Sequence, residues 1–427
     1  MKENLLKNAL KHRWGSLDLR SLAAGPAKKR MATLNEWAPP EGIKPRRDLL
    51  YLSVGIPDSE GLPRDELQKA MQQVMARRDD TPLRYGFGQG YFPIRDFLAR
   101  RYTRKNRFDT TPDWFQMCNG SSGAIDLVVR SFIDPGDVVI TESPVYMGSL
   151  GNFIGVGAEV SSVNVGPGGM DPAELRNTVL SLKKAGRRVK IVYTISTFQN
   201  PTGVTMSRNH MEALLRLASE EGFLILEDAA YEELYYDQVV ADTLFSMSEG
   251  YGVISVGSFS KTVATGLRIG WMQARPECIR LMSRMRFDMG QNQMALQMMG
   301  RFLADGCLEP HLDKMRRLYK KKMEMCAESV QQKISDYIGF IRPRGGFYLW
   351  AELARGIRAE DVWRTAAEEG VAVNPGYSFF PDQGLTRGEF LRIAYSWTPM
   401  EALEEAVSRL ACAVCRVADG DATTTTI

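Results

Sequence analysis

The sequence predicts an α/β protein: a large domain whose mostly parallel sheet is sandwiched by helices, followed by a smaller α+β domain. Three observations predict it. Short apolar runs at Val138–Ile140, Lys190–Tyr193, Phe223–Leu226 and Val253–Val256 alternate with helix-forming stretches such as Ala124–Phe132 and His210–Glu220. Strand-length apolar runs separated by helices are what a sheet buried on both faces requires. A helix-forming stretch from 276 to 335 then leads into a second pair of strand-like runs, Phe347–Ala351 and Phe390–Ala394, with a helical segment at 359–369 between them. Finally, 427 residues that are 44% hydrophobic and 25% charged bury at least one large core, which excludes a chain disordered throughout.

The elements divide the chain. Residues 1–50 are polar and broken by Gly25-Pro26 and Pro39-Pro40, so they read as an arm that contributes a lid or joins the smaller domain. The large domain is expected over 51–305, the small C-terminal domain over 306–418, and the low-complexity end 419–427 as a frayed tail. A net charge of +3 is nearly balanced. The basic clusters Lys28-Lys29-Arg30 and Arg316-Arg317 with Lys320-Lys321-Lys322 are short and read as an arm and a solvated helix face, not as a nucleic-acid site. Six scattered cysteines are not a disulfide framework, and Cys412 and Cys415 lack the second pair that a zinc site needs. No apolar run reaches the roughly 18 residues of a membrane span, and no signal-peptide core opens the chain, so the cytoplasm is the expected location.

In open α/β sheets, ligands gather beyond the carboxyl ends of the strands. Four loops in such places carry chemistry. After Phe115–Cys118, Asn119-Gly120-Ser121-Ser122-Gly123 opens a helix, and its free N–H groups make an anion cradle, although the same residues are ordinary turn chemistry. Gly257-Ser258-Phe259-Ser260-Lys261, with Arg268 seven residues on, groups two hydroxyls, an amine and a guanidinium: enough to hold a phosphate dianion and leave one amine for covalent work. Gln199-Asn200-Pro201-Thr202-Gly203 offers an amide on a turn held by proline. Glu227-Asp228-Ala229-Ala230-Tyr231 places a carboxylate at a strand end with a phenol three residues later, the pair that a heteroaromatic cofactor's ring nitrogen and hydroxyl would use. Each alone has a plain structural reading as a turn, a cap or a clamp; their order and joint presence are specific.

Taken together, and with Val54-Gly55-Ile56-Pro57-Asp58, Tyr85-Gly86 with Gly90 and Arg95, Glu142-Ser143-Pro144-Val145-Tyr146, Gly345-Gly346-Phe347-Tyr348, Pro375-Gly376 and Leu391-Arg392-Ile393, these segments resemble the fold-type-I pyridoxal-phosphate enzymes of the class I/II aminotransferase family. The resemblance runs from Gly55 to Arg392 and is closest to the subgroup of aminoadipate, kynurenine and aromatic aminotransferases, partly on FQNPTG.

The resemblance implies pyridoxal 5′-phosphate as cofactor, bound as a Schiff base to Lys261, which then acts as the base at the substrate's Cα. It further implies that Asp228 faces the ring nitrogen, that Asn200 and Tyr231 reach the ring's 3′-oxygen, and that Tyr146 stacks on the ring. Ser258, Ser260, Arg268 and the amides of Ser121, Ser122 and Gly123 would hold the phosphate, with Tyr85 reaching it from a neighbouring subunit of a homodimer. Arg392 would grip the substrate carboxylate, aided by the backbone of Gly55 and by Asn200. Two departures from the subgroup stand out: Gly120-Ser121-Ser122-Gly123 where many relatives carry Gly-Ser-Gln-Gln, and Ser196-Thr197 where they carry proline.

The expected reaction is amino-group transfer between an L-amino acid and a 2-oxo acid by a ping-pong cycle. The alternative is a lyase, cyclase or oxidase of the same fold, since one cofactor serves all of these. A DNA-binding regulator built on this fold is disfavoured because the arm shows no helix-turn-helix pattern. Substrate choice stays open: Arg13, Arg20 or Arg30 suits a distal carboxylate, whereas Tyr146, Tyr91 and Phe379 suit an aromatic side chain.

Overall fold

Eight strands form the large sheet in a computed structural model that describes residues 2–15, 17–28, 40–44, 46–86, 88–238, 242–381 and 388–420. Across the sheet they run Phe115–Asn119, Ile269–Gln273, Val253–Ser258, Leu224–Asp228, Val189–Thr194, Val138–Ser143, Glu159–Gly166 and Gly169–Met170. The five from Val253–Ser258 to Glu159–Gly166 pair in parallel. Ile269–Gln273 is antiparallel to both its neighbours. The expected mostly parallel sheet is therefore present.

Strand periodicity assigns each side chain to a face. Val139, Ile191, Tyr193, Leu226 and Ile254 pack with the helix Gly120–Phe132 through Ala124, Ile125 and Val128. Their strand neighbours Val138, Ile140, Val192, Ile225 and Val253 point the other way, onto Leu175 and Val179 of Pro172–Lys184 and Met211, Leu214 and Leu217 of Arg208–Glu221. Covering both faces explains why these strands read as continuous apolar runs in the sequence.

A second core surrounds a four-stranded antiparallel sheet, ordered Ile338–Phe340, Tyr348–Leu353, Phe390–Ala394 and Asn374–Pro375. The helices Ala359–Glu368 and Met400–Ala418 cover it. Leu50–Tyr51 pairs in parallel with Val371–Ala372 as a separate two-stranded sheet, and Leu52 is buried in the same core as the four-stranded one.

The helix-forming stretch 276–335 resolves into Pro276–Ser283, Gln293–Ala304 and Leu308–Ile334. The last of these joins the two cores: Met315 and Tyr319 pack on the large one, Cys326 and Val330 on the small one. Its basic residues are consequently not all on a solvated face, which corrects the reading of 316–322. Arg316 is buried, and its guanidinium donates to the Glu233 carbonyl at 2.8 Å and carboxylate at 3.0 Å. Lys322 is fully buried, paired with Asp58, and donates to the carbonyls of Ser396 (3.0 Å) and Thr398 (2.7 Å). Three acceptors satisfy its three N–H groups, which is what makes a buried ammonium tolerable.

Replacing Lys322 with alanine strands the Asp58 carboxylate in the interior, and we expect it to cost about 3–5 kcal/mol, read as a lower urea midpoint. Lys322→Met together with Asp58→Leu is expected to recover most of that loss, because apolar groups of similar volume replace a buried pair at little net cost. A single alanine variant as stable as the native chain would contradict this.

In the arm, Lys2–Gly15, Leu19–Leu22 and Gly25–Lys28 are helical, and the last lies against Met147–Gly155, the helix that follows Tyr146. Arg30 and residues 421–427 of the tail lie outside the described residues, as do the side chains of Arg13 and Arg20. No helix among the described residues is long and apolar enough to cross a membrane.

Candidate active site

The carboxyl ends of the parallel strands bring the four loops to one place. Asp228 ends its strand with its side chain buried. One carboxylate oxygen accepts from the Tyr193 hydroxyl at 3.0 Å and the other from the Ala230 N–H at 3.2 Å. Burial pushes this carboxyl up to about 6, against the pull of Tyr193, the Ala230 amide and Lys261. A further cation beside this carboxylate, such as a protonated ring nitrogen, would bring it back down.

Lys261 follows the strand Val253–Ser258 and is half-buried. Its Nζ donates to the Gly55 carbonyl at 2.6 Å and lies 5.8 Å from the centre of the Tyr231 ring. Tyr231 is buried, and its hydroxyl is 2.9 Å from that of Tyr348. Gly55 is glycine for a steric reason: a Cβ there would stand 2.0 Å from the Tyr348 hydroxyl.

Arg392 sits in the central strand Phe390–Ala394 of the small sheet with no exposed surface. Its guanidinium donates to Asn200 Oδ1 at 3.1 Å and the Ser53 carbonyl at 2.6 Å. The rings of Tyr348 and Phe379 lie 4.5 and 4.6 Å from its Cζ. A planar cation packed against two aromatic rings and fixed by two acceptors keeps its fork geometry for a carboxylate. With Oδ1 used by Arg392, the Asn200 amide nitrogen is left as a donor.

A third group forms the anion cradle. Asn119 does not cap the helix Gly120–Phe132 with its side chain, which leaves the first-turn amides, those of Ser121, Ser122 and Gly123 among them, to an external acceptor. The Ser258 hydroxyl donates to Ser260 Oγ at 2.8 Å. Arg268 reaches Ser260 Oγ at 3.4 Å and the Asn119 carbonyl at 3.3 Å. At Gly120, with φ of +70°, a Cβ would lie 2.5 Å from the Arg268 guanidinium, so a side chain would fill the cradle. An anion, a hydroxyl-bearing ring and a cationic ring nitrogen match this donor set, so the residues present fit pyridoxal phosphate.

Tyr146 is 39% exposed, with its ring over Gly148, where a Cβ would touch it at 2.5 Å. Tyr85 is 71% exposed, turned out from its own chain.

Several contributors escaped the sequence reading. In the sequence Tyr193 shows only as part of an apolar strand, yet its phenol links Ser149 (2.8 Å) to Asp228. Tyr348 carried no role. Glu142 is fully buried and accepts from Thr194 Oγ1 (2.5 Å), the Ile195 N–H (3.1 Å) and Gln199 Nε2 (3.1 Å), tying the Asn200 loop to the segment that presents Tyr146. Burial raises this carboxyl to about 7. The signal available was a polar residue at the end of an apolar strand. Ser196, one of the two departures, donates to the buried Glu227 at 2.6 Å, so its hydroxyl is taken up beneath the sheet.

The profile of the family described as aminotransferase class I and II matches residues 47–410. Aromatic-amino-acid aminotransferase 1 of Thermococcus litoralis is 32% identical over 366 residues, spanning 85% of this chain and 87% of that protein. The 2-aminoadipate transaminase of Thermus thermophilus is 32% identical over 371 residues, spanning 86% and 90%. In fold the chain is similar to the kynurenine aminotransferase of Pyrococcus horikoshii, with a TM-score of 0.85 over 93% of this chain and 98% of that one at 28% identity. Fold and cofactor are those of a fold-type-I pyridoxal-phosphate enzyme. The chain belongs to the class I and II aminotransferase family, and its reaction is transfer of an amino group between an amino acid and a 2-oxo acid.

Proposed function

We propose that the site just described performs this transfer with Lys261 as the base, and that its preferred amino acids carry aromatic or long apolar side chains. The observation that supports it is the convergence of Lys261, Asp228, Asn200, Tyr231 and Arg392, from four separate segments, on one pocket. Bound here, pyridoxal phosphate supplies an electron sink that acidifies the substrate's Cα–H. Lys261 Nζ would take that proton from Cα and deliver it two atoms along, to the cofactor's C4′. Asp228 keeps a proton on the ring nitrogen through a charge-assisted hydrogen bond. Asn200 and Tyr231 donate to the ring's 3′-oxygen, while Tyr146 covers the ring. Ser258, Ser260, Arg268 and the amides of Ser121, Ser122 and Gly123 hold the phosphate. Arg392, with the backbone at Gly55, fixes the carboxylate and so decides which Cα bond stands perpendicular to the ring.

The exposed Tyr85 reaches the cradle of a second copy, so the working unit is a homodimer. The division into a large domain over 51–305 and a small one over 306–418 rests on the two apolar cores, with Leu50–Leu52 joined to the second. For the substrate, an aromatic wall supports the reading: Phe379 lies against Arg392, and Trp350 stacks on Phe390 at 5.0 Å and contacts Phe379 at 5.9 Å. The names of the relatives agree in part, one with aromatic amino acids and one with 2-aminoadipate. A kcat/KM panel of phenylalanine, tyrosine, kynurenine, 2-aminoadipate, glutamate and alanine against one 2-oxo acid tests it. The aromatic members are expected to lead by at least tenfold, the discrimination that one apolar pocket gives; a lead for glutamate or alanine would refute the substrate class.

A further inference from the structure

Tyr348 stands where three functions meet. Its hydroxyl is 2.9 Å from that of Tyr231, it lies against the Cα of Gly55 closely enough to forbid a Cβ, and its ring lies 4.5 Å from the Arg392 guanidinium. It is buried at the start of the strand Tyr348–Leu353, which pairs with Phe390–Ala394, so the sheet register that places Arg392 also places this phenol.

We propose that Tyr348 is a positioning residue for the transfer reaction: it donates its hydroxyl proton to Tyr231, which leaves the Tyr231 proton free for the cofactor's 3′-oxygen. Two hydroxyls in contact share one hydrogen bond, and the one that donates into it sets what the other has left to give. A cation lying against the face of the Tyr348 ring draws electron density from it and favours Tyr348 as the donor. In a buried chain of hydroxyls, each donation strengthens the next. The ionisable groups facing the pair are Arg392, Lys261, Tyr146 and Tyr395; Arg392 lies against the Tyr348 ring, its place held by Asn200 and Ser53. Burial holds Tyr231 well above its ordinary value, so it serves as a neutral donor throughout the working pH range. The inference rests on the reading of Tyr231 as the partner of the 3′-oxygen.

The test is Tyr348→Phe in the cofactor-loaded enzyme, which removes one oxygen and keeps the ring against Arg392. The readout is the pH midpoint of the bound cofactor's absorbance change. Donation to the 3′-oxygen stabilises its anion and lowers that midpoint, so the variant's midpoint is expected to rise by roughly 0.5–1 pH unit, a threefold to tenfold change in the proton equilibrium set by one neutral hydrogen bond. KM for the amino acid is expected to stay within about twofold, because Arg392 keeps its packing, whereas Tyr348→Leu should raise it. In a Tyr231→Phe background, Tyr348→Phe should shift the midpoint no further. An unchanged or lower midpoint in Tyr348→Phe, or the same shift in both backgrounds, overturns the relay. If Tyr231→Phe alone leaves the midpoint where it was, the reading of Tyr231 fails instead.

Discussion

Substituting Lys261 with alanine is expected to lower turnover by about 10^4, the upper end of what a positioned general base contributes, and to end covalent retention of the cofactor. Among the described residues, the other cationic side chains of the site are ill suited to replace it. Of the nitrogen bases near the ring, the Arg392 guanidinium does not give up its proton and is held by Asn200 and Ser53. Arg268 belongs to the anion cradle. Borohydride reduction followed by mass spectrometry checks the covalent part: the native chain gains one cofactor mass on the peptide containing Lys261, and the variant gains none. A variant that keeps a tenth of native turnover would place the base elsewhere.

Asp228→Asn is expected to lower kcat by roughly 10^2–10^3 with little change in KM, because it removes the charge of a buried, hydrogen-bonded pair worth about 2–5 kcal/mol. The substitution keeps the side chain's size and a hydrogen bond to Tyr193. A pH dependence accompanies it. Burial holds the Asp228 carboxyl at about 6 in the unloaded chain, and a cationic ring nitrogen brings it down. Loading the cofactor below pH 6 therefore expels a proton from this carboxyl, so affinity is full above about 6 and falls as pH drops through that value, by up to tenfold per unit. Affinity measured from pH 5 to 8 should show this slope in the native chain and a flatter one in Asp228→Asn; identical slopes would remove Asp228 from the role.

Much of this was legible in the sequence, for reasons that can be traced to residues. Parallel strands buried on both faces leave continuous apolar runs, and their loops carry side chains in a fixed order, so Lys261, Asp228, Asn200 and the 119–123 cradle could be found from spacing and resemblance. Strands without that signature were missed. Glu159–Gly166 is partly exposed along most of its length, and Ile269–Gln273 follows the Lys261 loop so closely that it merges with it. Long-range pairing was equally hidden. Lys322 looked like one more lysine on a basic helix face because its partners, Asp58, Ser396 and Thr398, are 264, 74 and 76 residues away. Tyr193 and Tyr348 looked like strand residues because a phenol on an apolar run gives no hint of which hydroxyl it will meet.

The most direct test of the central claim, that this site stores an amino group between two half-reactions, uses the cofactor-loaded enzyme and a 15N-labelled aromatic amino acid with no acceptor. The account predicts one equivalent of 2-oxo acid per active site, no labelled ammonia, and transfer of the label to a second 2-oxo acid when it is added. Continuous turnover without an acceptor, with labelled ammonia accumulating beyond one equivalent, would contradict it and assign the same residues to an elimination or oxidation.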